Sequence, residues 1–341
     1  MSKLRRSAGL FDEQNRLEDL SKMNDPLEKI NSVINWERFR PEIEKVFDKK
    51  KKSNAGRKSY DKVMMFKILV LGSYYGITHE TLEFMIKDRL SFQRFLGLQL
   101  SHRVPDANTV WDFREALTKA GAFDKLFNQL VKHLRDSGLI MNRGSIVDAS
   151  IIQAPIQRNS KEENDQIKKG KRPRDWSGAK RSQKDIDARW TKKNGKSFFG
   201  YKNHIKIDHK SKLITKCEIT AACVHDSQIL ESLLDEHDSN HTLYADSAYR
   251  SREIEGVLKD KEVTSRIHKK GYRNKTLTEK EKKVNKNKSR IRARVEHIFG
   301  MMHKRMSRKI VEQKTMSRNS ARIILRNITY NLQRQTYLQT L

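Results

Sequence analysis

Three carboxylates stand out because each is isolated among residues of another kind. Asp148 interrupts the apolar stretch GSIVDASIIQAP, Asp246 ends the apolar part of TLYADSAYR, and Glu296 is a lone acid in a basic region. The β-branched residues around Asp148 indicate a buried strand, on which an unpaired acid is strongly unfavourable. Two kinds of partner would relieve it, a neighbouring Arg or a bound metal ion, and this stretch alone leaves both open.

The chemistry that three such acids could support is phosphodiester cleavage. Three carboxylates brought together repel one another unless cations lie between them. Two divalent ions about 4 Å apart would remove the repulsion, one activating water or a 3′-hydroxyl and the other stabilising the leaving oxygen. Hard oxygen ligands favour Mg²⁺, with Mn²⁺ as a substitute, over zinc. The acids therefore predict a two-ion site formed by Asp148, Asp246 and Glu296.

The overall charge indicates the partner. The 341 residues include 72 Lys and Arg against 42 Asp and Glu, a formal net charge of +30. Such a charge points to a polyanion, and nucleic acid is the default. No separate basic amphipathic helix and no lipidation motif is visible, so we expect no membrane partner. Cys217 and Cys223 lack metal-site spacing and are expected to be buried, reduced thiols in a cytoplasmic protein.

The elements that must position the acids begin with helices. After a polar arm, a helix is predicted over residues 26–47, followed by a basic linker at 49–58. Helical periodicity and capping residues then predict five helices, near 60–75, 78–87, 90–98, 107–117 and 123–138. Short helices with tight turns fit a helix-turn-helix DNA module and equally an ordinary helical packing domain.

After Gly144 the pattern changes to strands. The predicted order is strand, strand, strand, helix, strand, helix, strand, helix, which favours a mixed sheet with helices on its faces. Strands are predicted near 144–155, 198–208, 212–222, 242–250 and 263–269, and helices near 225–237, 251–261, 279–307 and the C-terminus. Residues 157–196 hold 14 Lys or Arg against 6 Asp or Glu. That composition predicts a mobile surface insertion that packs no core.

These patterns predict four parts of the chain. Residues 1–58 form an arm, a helix and a linker; 59–140 form a helical DNA-binding or assembly domain; 141–310 form the catalytic domain; and 311–341 form a C-terminal helix.

Five blocks in the second part resemble one family of enzymes. They are IVDASIIQAP, DARWTKKNGKSFFGYKNHIKID, ITAACVHDSQIL, LYADSAYRS and RARVEHIFG, and together they are similar to bacterial insertion-sequence transposases of the DDE class, insertion-sequence-five group. The helical segments GRKSYDKVMMFKILVLGSYYGITHETLEFMIKDRLSFQRFLGL and VPDANTVWDFREAL resemble the N-terminal domain of that group. The resemblance spans about residues 57–335.

The resemblance implies a ribonuclease H-like core of α/β (α+β) class. Asp148 would lie on the first strand, Asp246 after the fourth and Glu296 on a late helix, as catalytic and metal-binding residues. The interval between Asp246 and Glu296 leaves no room for a large inserted domain. Related transposases place a Tyr, an Arg and a Lys around the glutamate to hold DNA ends. Arg292 matches the Arg, whereas Ser289 and His303 stand at the Tyr and Lys positions, with Lys304 next in the chain.

Further residues are candidates for contact with DNA or for support of the site. The basic candidates are Arg57, Lys58, Lys171, Arg172, Arg174, Lys202, Arg292 and Lys304. Asp226 could be a helix N-cap or lie in an outer shell around the metal ions. Trp176 and Trp190 could stack on splayed bases or anchor a loop. Tyr249 is expected to pack.

The function indicated is DNA transposition: metal-dependent cleavage at insertion-sequence ends, then strand transfer into target DNA. The partners would be double-stranded DNA, both inverted-repeat ends and target, and a second copy of the chain or more on the DNA. We expect a cytoplasmic, nucleoid-associated bacterial protein. The alternatives are a domesticated DNA-binding regulator that has lost catalysis, or a plain metal-dependent nuclease of the same fold. The intact triad argues against the regulator.

Overall fold

A computed structural model describes residues 9, 11–48, 59–271, 276–306 and 313–340. The described helices are α1 (Asp12–Lys22), α2 (Pro26–Val33), α3 (Arg40–Phe47), α4 (Lys62–Tyr75), α5 (His79–Asp88), α6 (Leu90–Leu96), α7 (Ala107–Lys119), α8 (Ala122–Asp136), α9 (Lys161–Lys168), α10 (Gly178–Gln183), α11 (Leu230–Leu233), α12 (Arg252–Asp260), α13 (Glu279–Arg305) and α14 (Met316–Gln339). The described strands are β1 (Ser145–Gln153), β2 (Arg189–Lys193), β3 (Lys196–Asp208), β4 (Ile214–Ala221), β5 (Thr242–Tyr244) and β6 (Thr264–Ser265).

The five helices predicted between residues 60 and 138 are confirmed as α4 to α8, and capping residues set several of their ends. Thr78 and Asp106 cap α5 and α7 by accepting hydrogen bonds from the backbone N–H groups of Thr81 and Thr109. Gly76 ends α4 in the left-handed conformation, φ 64°.

Upstream of these helices, the single helix predicted over 26–47 is instead two. A 3₁₀ turn at Trp36–Phe39 separates α2 from α3, which lets Trp36 and Phe39 pack against Phe66 of α4. The stretch predicted as a polar arm contains the exposed helix α1. The basic linker at 49–58 lies outside the described residues.

The sheet is mixed, as predicted. Its order is β2-β3-β1-β5-β6, with β4 also paired to β3. Strand β1 runs antiparallel to β3 and parallel to β5, and β5 runs parallel to β6. With helices on its faces and a helical region before it, the chain has the predicted α/β (α+β) class, a mixed sheet flanked by helices.

One face of the sheet is covered by the last helix. Ile146, Ile205 and Ile207 belong to the same buried cluster as residues of α4, α8 and α14. Buried amides of α14 bond to the strands: Asn331 pairs with the backbone N–H and C=O of Ile214, at 2.9 and 2.8 Å. Because buried amides must be paired, these bonds specify how α14 lies on the sheet.

The basic insertion is more ordered than its composition predicts. It contains α9, α10 and β2, and Ile167 and Trp176 within it are buried. The Trp176 indole donates to Glu163 at 2.7 Å, and Lys180 bonds to the same carboxylate. Buried Asp185 of the insertion accepts from the Tyr201 hydroxyl of β3 at 2.6 Å. The prediction that this segment packs no core is therefore wrong, because a few apolar and hydrogen-bonding residues attach it to the sheet.

Three further findings concern the cysteines, the helices and the segment before Glu296. Cys217 is partly buried and Cys223 is exposed, so the prediction that both are buried is wrong. No described helix is long and apolar enough to cross a membrane. The elements described between Asp246 and Glu296 are a 3₁₀ turn at Ser247–Tyr249, the short α12, the two-residue β6 and the first part of α13, so the described residues there contain no large inserted domain.

Candidate active site

Asp148 and Asp246 lie side by side because their strands are parallel neighbours. The pairing of β1 with β5 joins Ser145 to Leu243 and Ile146 to Tyr244. The same register, continued past the end of β5, aligns Asp148 with Asp246. Neighbouring strands are about 4.8 Å apart. Asp246 is held in place by its own turn, since its carboxylate accepts a 2.8 Å bond from the backbone N–H of Ala248.

The Asp148 carboxyl is buried, with only 8% of the residue exposed. Burial raises its pKa to about 6, and the negative charge of Asp246 adds to the rise. The charge of Arg292 and a hydrogen bond from the backbone N–H of Ala149 oppose that rise. The site is therefore short of positive charge, the condition that a bound cation would relieve.

The third acid is carried by α13, whose Val295, Ile298 and Met302 are buried, as predicted, against the fold. Glu296 is one position from Val295, and its side chain is 55% exposed. Arg292, one turn earlier, connects the two acids. Its guanidinium donates to Asp148 Oδ2 at 2.7 Å and to Glu296 Oε1 at 2.6 Å.

The three predicted acids are thus brought to one place, but with an arginine between two of them. Among the described residues, no three His, Cys, Asp or Glu side chains form a group that could hold a metal ion. The donor chemistry nevertheless fits Mg²⁺ or Mn²⁺, because the available ligands are carboxylate oxygens. A cation, the Arg292 guanidinium, already lies between Asp148 and Glu296. The carboxylates available to a divalent ion are those of Asp148 and Asp246, with Glu296 on the other side of the Arg292 guanidinium.

A buried tyrosine adjoins the acids. Tyr249 is fully buried and its hydroxyl makes no hydrogen bond to any described group. Burial raises its pKa well above the usual value, and the charges of Asp226, Asp148 and Asp246 raise it further. Tyr249 packs as predicted, but the charges of three carboxylates also act on its hydroxyl. The sequence did not reveal this, because a Tyr after an acidic residue has no distinguishing pattern.

Asp226 and Lys202 form a pair next to this tyrosine. Lys202 Nζ donates to Asp226 Oδ1 and to the carbonyl of Val224, both at 2.7 Å. The interpretation of Asp226 as an N-cap is wrong, because His225 caps the following turn. Only 12% of the Lys202 side chain is exposed, so the structure gives this lysine a carboxylate partner inside the protein.

The other residues near the glutamate occupy different surroundings. His303 Nε2 lies 3.0 Å from the hydroxyl of Ser150, two residues after Asp148 on β1. Lys304 is exposed, as a phosphate contact requires. Ser289 Oγ is 3.5 Å from His268 Nε2.

The tryptophans of the insertion have different positions. Trp176 is 3% exposed and anchors the insertion, one of the two roles that its sequence left open, so its face is not available to a base. Trp190 on β2 is 47% exposed. Lys171, Arg172 and Arg174 are exposed on the loop that leads to α10. Arg57 and Lys58 lie outside the described residues.

Comparison with known proteins shows which family the chain belongs to. Residues 141–332 match the transposase DDE domain model, more than half of the chain. The chain belongs to the transposase DDE domain family. A second model, the transposase domain DUF772, matches residues 15–116. The protein is a DNA transposase, and enzymes of its class generally use divalent metal ions.

One solved structure is also similar to this transposase. It is the cryo-EM structure of the piggyBac transposase synaptic complex with hairpin DNA, with a TM-score of 0.47 and 11% sequence identity. The match covers 90% of this chain and 74% of that chain.

Sequence reasoning missed one element of the transposase beside its acids, the hairpin of β2 and β3. The charge of Lys193, at its tip, acts on the Asp148 carboxyl. A signal is present: Asn194-Gly195 is a strong hairpin-turn dipeptide, here between a run with Trp190 and one with Phe198 and Phe199. The basic composition of residues 157–196 outweighs that signal and predicts a surface insertion instead.

Proposed function

We propose that this transposase cuts DNA at the ends of an insertion sequence of the insertion-sequence-five group and joins the freed 3′-hydroxyl to target DNA. The single observation that carries the site assignment is the placement of Asp148 and Asp246 on neighbouring parallel strands, with Glu296 joined to them through Arg292. The members of this arrangement are far apart in sequence, and the fold brings them together.

Asp148, Asp246 and Glu296 are the proposed catalytic residues and the proposed ligands of two Mg²⁺ ions, with Mn²⁺ as a substitute. Ions bound there would activate the attacking oxygen and stabilise the leaving one. The carboxylate of Asp148 would be held in a fixed orientation, because its Oδ1 accepts a hydrogen bond from the backbone N–H of Ala149. Asp246 would be kept in register by its bond to Ala248.

Arg292 is proposed to change partners during the reaction. In the structure it neutralises Asp148 and Glu296. Its guanidinium would shift to a DNA phosphate, the role predicted from the sequence, when the carboxylates hold metal ions instead. A guanidinium can pair with a carboxylate or a phosphate in the same two-bond geometry.

The remaining DNA contacts are proposed on the basis of exposure and charge. Lys304 and the exposed group Lys171, Arg172 and Arg174 are free of carboxylate partners among the described residues and could bind phosphates. Lys202 is proposed to act indirectly, holding Asp226 beside Tyr249. Asp226 is proposed as an outer-shell group.

The partners proposed are the inverted-repeat ends and target DNA, with at least two copies of the chain on the DNA. A net charge of +30 supports strong, salt-dependent association with DNA, and we propose that the protein is held at the nucleoid of a bacterial cell.

A plasmid assay tests this proposal. Purified protein, Mg²⁺, and a donor carrying the repeats that flank the gene should yield cut ends and strand-transfer product. Cut ends without transfer would identify a nuclease, and end binding without cutting would identify a regulator. The matched variants are Asp148→Asn, Asp246→Asn and Glu296→Gln, which keep side-chain size and remove charge. Each should lose cleavage and retain end binding, because a metal ligand is lost and a phosphate contact is not.

A further inference from the structure

The β2–β3 hairpin is a basic element that continues β3, the strand paired with the β1 strand of Asp148. Its tip, Asn194-Gly195, has positive φ at both residues, 51° and 78°, the conformation of the tight turn that matches strand twist. Residues 188–207 contain no acid, and Lys192, Lys193 and Lys196 cluster at the tip. None of these three makes an ion pair with a carboxylate in the described part of the chain.

The base of the hairpin is tightly attached to the sheet. Gly200 has φ 150°, and a Cβ there would lie 2.2 Å from the carbonyl oxygen of Ile152 and 2.8 Å from the backbone nitrogen of Ala154. Only glycine allows β3 to approach β1 so closely at this point. The hairpin therefore leaves the sheet in a defined direction.

One face of the hairpin presents a tryptophan toward the side of the acids. Residues directly opposite in antiparallel strands share a face, and alternate residues along a strand return to it. Trp190 is opposite Phe199 on β3, and Ile205, six residues further, is opposite Asp148. Trp190 and Asp148 therefore lie on the same face of the sheet.

The separation of Trp190 from the acids follows from the pairing of the strands. Trp190 is opposite Phe199, and six residues of extended strand put it about 20 Å from the level of Asp148. Full extension gives the longest possible span, so 20 Å is an upper limit along the strand, equivalent to about six nucleotides of one DNA strand.

The indole of Trp190 is a supported but uncovered aromatic surface. It is 47% exposed, and its ring centroid is 5.3 Å from that of Phe199. Phe199 in turn packs in a cluster with Tyr201 and Ile323 of α14. Trp176, in contrast, uses its N–H and is buried. An aromatic face fixed from one side and open on the other suits stacking on a base.

We propose that Trp190 stacks on an unpaired base of the DNA, within six nucleotides of the phosphate held at Asp148, while the lysines of the hairpin tip bind the adjoining phosphates. Paired bases present only their edges, so the ligand is a nucleotide splayed out of the duplex. This inference rests on the proposed transposase function, since it requires DNA at the acids.

The test compares two DNA probes of one sequence. One is a fully paired duplex, and the other carries a four-nucleotide bubble at its centre. Binding of the full-length protein is measured in EDTA, so that no cutting occurs. Wild type should bind the bubble at least fivefold more tightly, the low end of base–aromatic stacking.

Three variants separate stacking from other effects of the side chain. Trp190→Phe keeps a flat ring and should retain most of the preference, whereas Trp190→Leu keeps apolar contact with Phe199 and should lose it. Tyr337→Ala removes an aromatic of similar exposure, 52%, from the end of α14 and should bind like wild type. Lys193→Ala should weaken both probes alike and reduce the salt slope by about one.

The outcomes distinguish this inference from the function on which it rests. Equal preferences in the Phe and Leu variants, or no preference in wild type, would overturn the stacking role of Trp190. If either of these results is obtained and wild type still cuts and transfers DNA in the plasmid assay, the transposase proposal stands. If wild type neither binds nor cuts DNA, the proposed function fails first. The Phe and Leu variants keep a large apolar side chain and should fold. A melting temperature near that of wild type would confirm this.

Discussion

Asp148→Asn should stabilise the metal-free protein at neutral pH, although it destroys the proposed active site. The folded-state pKa of Asp148 is about 6, against 3.8 in its ordinary environment. Between those values the folded state binds more protons than the unfolded state, so stability falls as the pH rises through that window. A difference of about two units corresponds to roughly 3 kcal/mol at pH 7.5. An uncharged Asn of the same shape does not carry this cost.

The measurement is thermal unfolding of wild type and variant in EDTA. With an unfolding entropy of about 2.1 cal/mol/K per residue, 3 kcal/mol corresponds to a melting temperature about 4 °C higher for a chain of this length. At pH 4.5 Asp148 is mostly protonated in the folded state, and the advantage should shrink to about 1 kcal/mol.

A control of opposite sign is Asp226→Asn, which leaves largely buried Lys202 without its carboxylate. It should destabilise the protein by about 1 to 3 kcal/mol. If Asp148→Asn melts at or below the wild-type temperature at pH 7.5, or if its advantage is the same at pH 4.5, the account of Asp148 as an undercompensated buried charge is wrong.

Further predictions concern the same site. Millimolar Mg²⁺ or Mn²⁺ should raise the melting temperature of wild type by mass action, and the triple variant Asp148→Ala, Asp246→Ala, Glu296→Ala should show no rise; equal shifts would mean that the acids share no metal site. Mn²⁺ should raise the melting temperature of Arg292→Ala more than that of wild type, because no guanidinium competes for the carboxylates. The rise for Arg292→Lys should lie between the two, and identical rises would exclude that competition. If Arg292 moves to a phosphate, the salt dependence of end binding by Arg292→Ala should have a slope lower than that of wild type by about one. An unchanged slope would mean that Arg292 pairs only with the carboxylates. Trp176→Phe loses the bond to Glu163 and should lower the free energy of unfolding by about 1 kcal/mol. Its preference for the bubble probe over the duplex probe should be unchanged; a changed preference would mean that Trp176 contacts DNA.

Local sequence determined most of the elements and singled out the three acids as candidates. The helices α4 to α8 follow from capping residues and apolar periodicity, which act within a few residues. The strand around Asp148 and the packed side of α13 were predictable for the same reason. An acid in an apolar strand is itself informative, since its cost must be met somewhere.

Only the tertiary structure decided which groups meet those acids. Arg292 is 144 residues from Asp148 along the chain, and no local pattern specifies that its guanidinium joins Asp148 to Glu296. The alignment of Asp148 with Asp246 depends on the register of β1 with β5. Register is a pairing of distant segments, determined by how the whole sheet buries its apolar face.

The two tryptophans of the insertion show the same division. Trp176 and Trp190 lie in equally basic stretches, and composition could not separate them. Glu163 holds one indole, whereas Phe199 supports the other from beneath and leaves its face open. Local sequence determines what a side chain can do; because burial and partners come from segments far away in the chain, folding decides which of those roles it has.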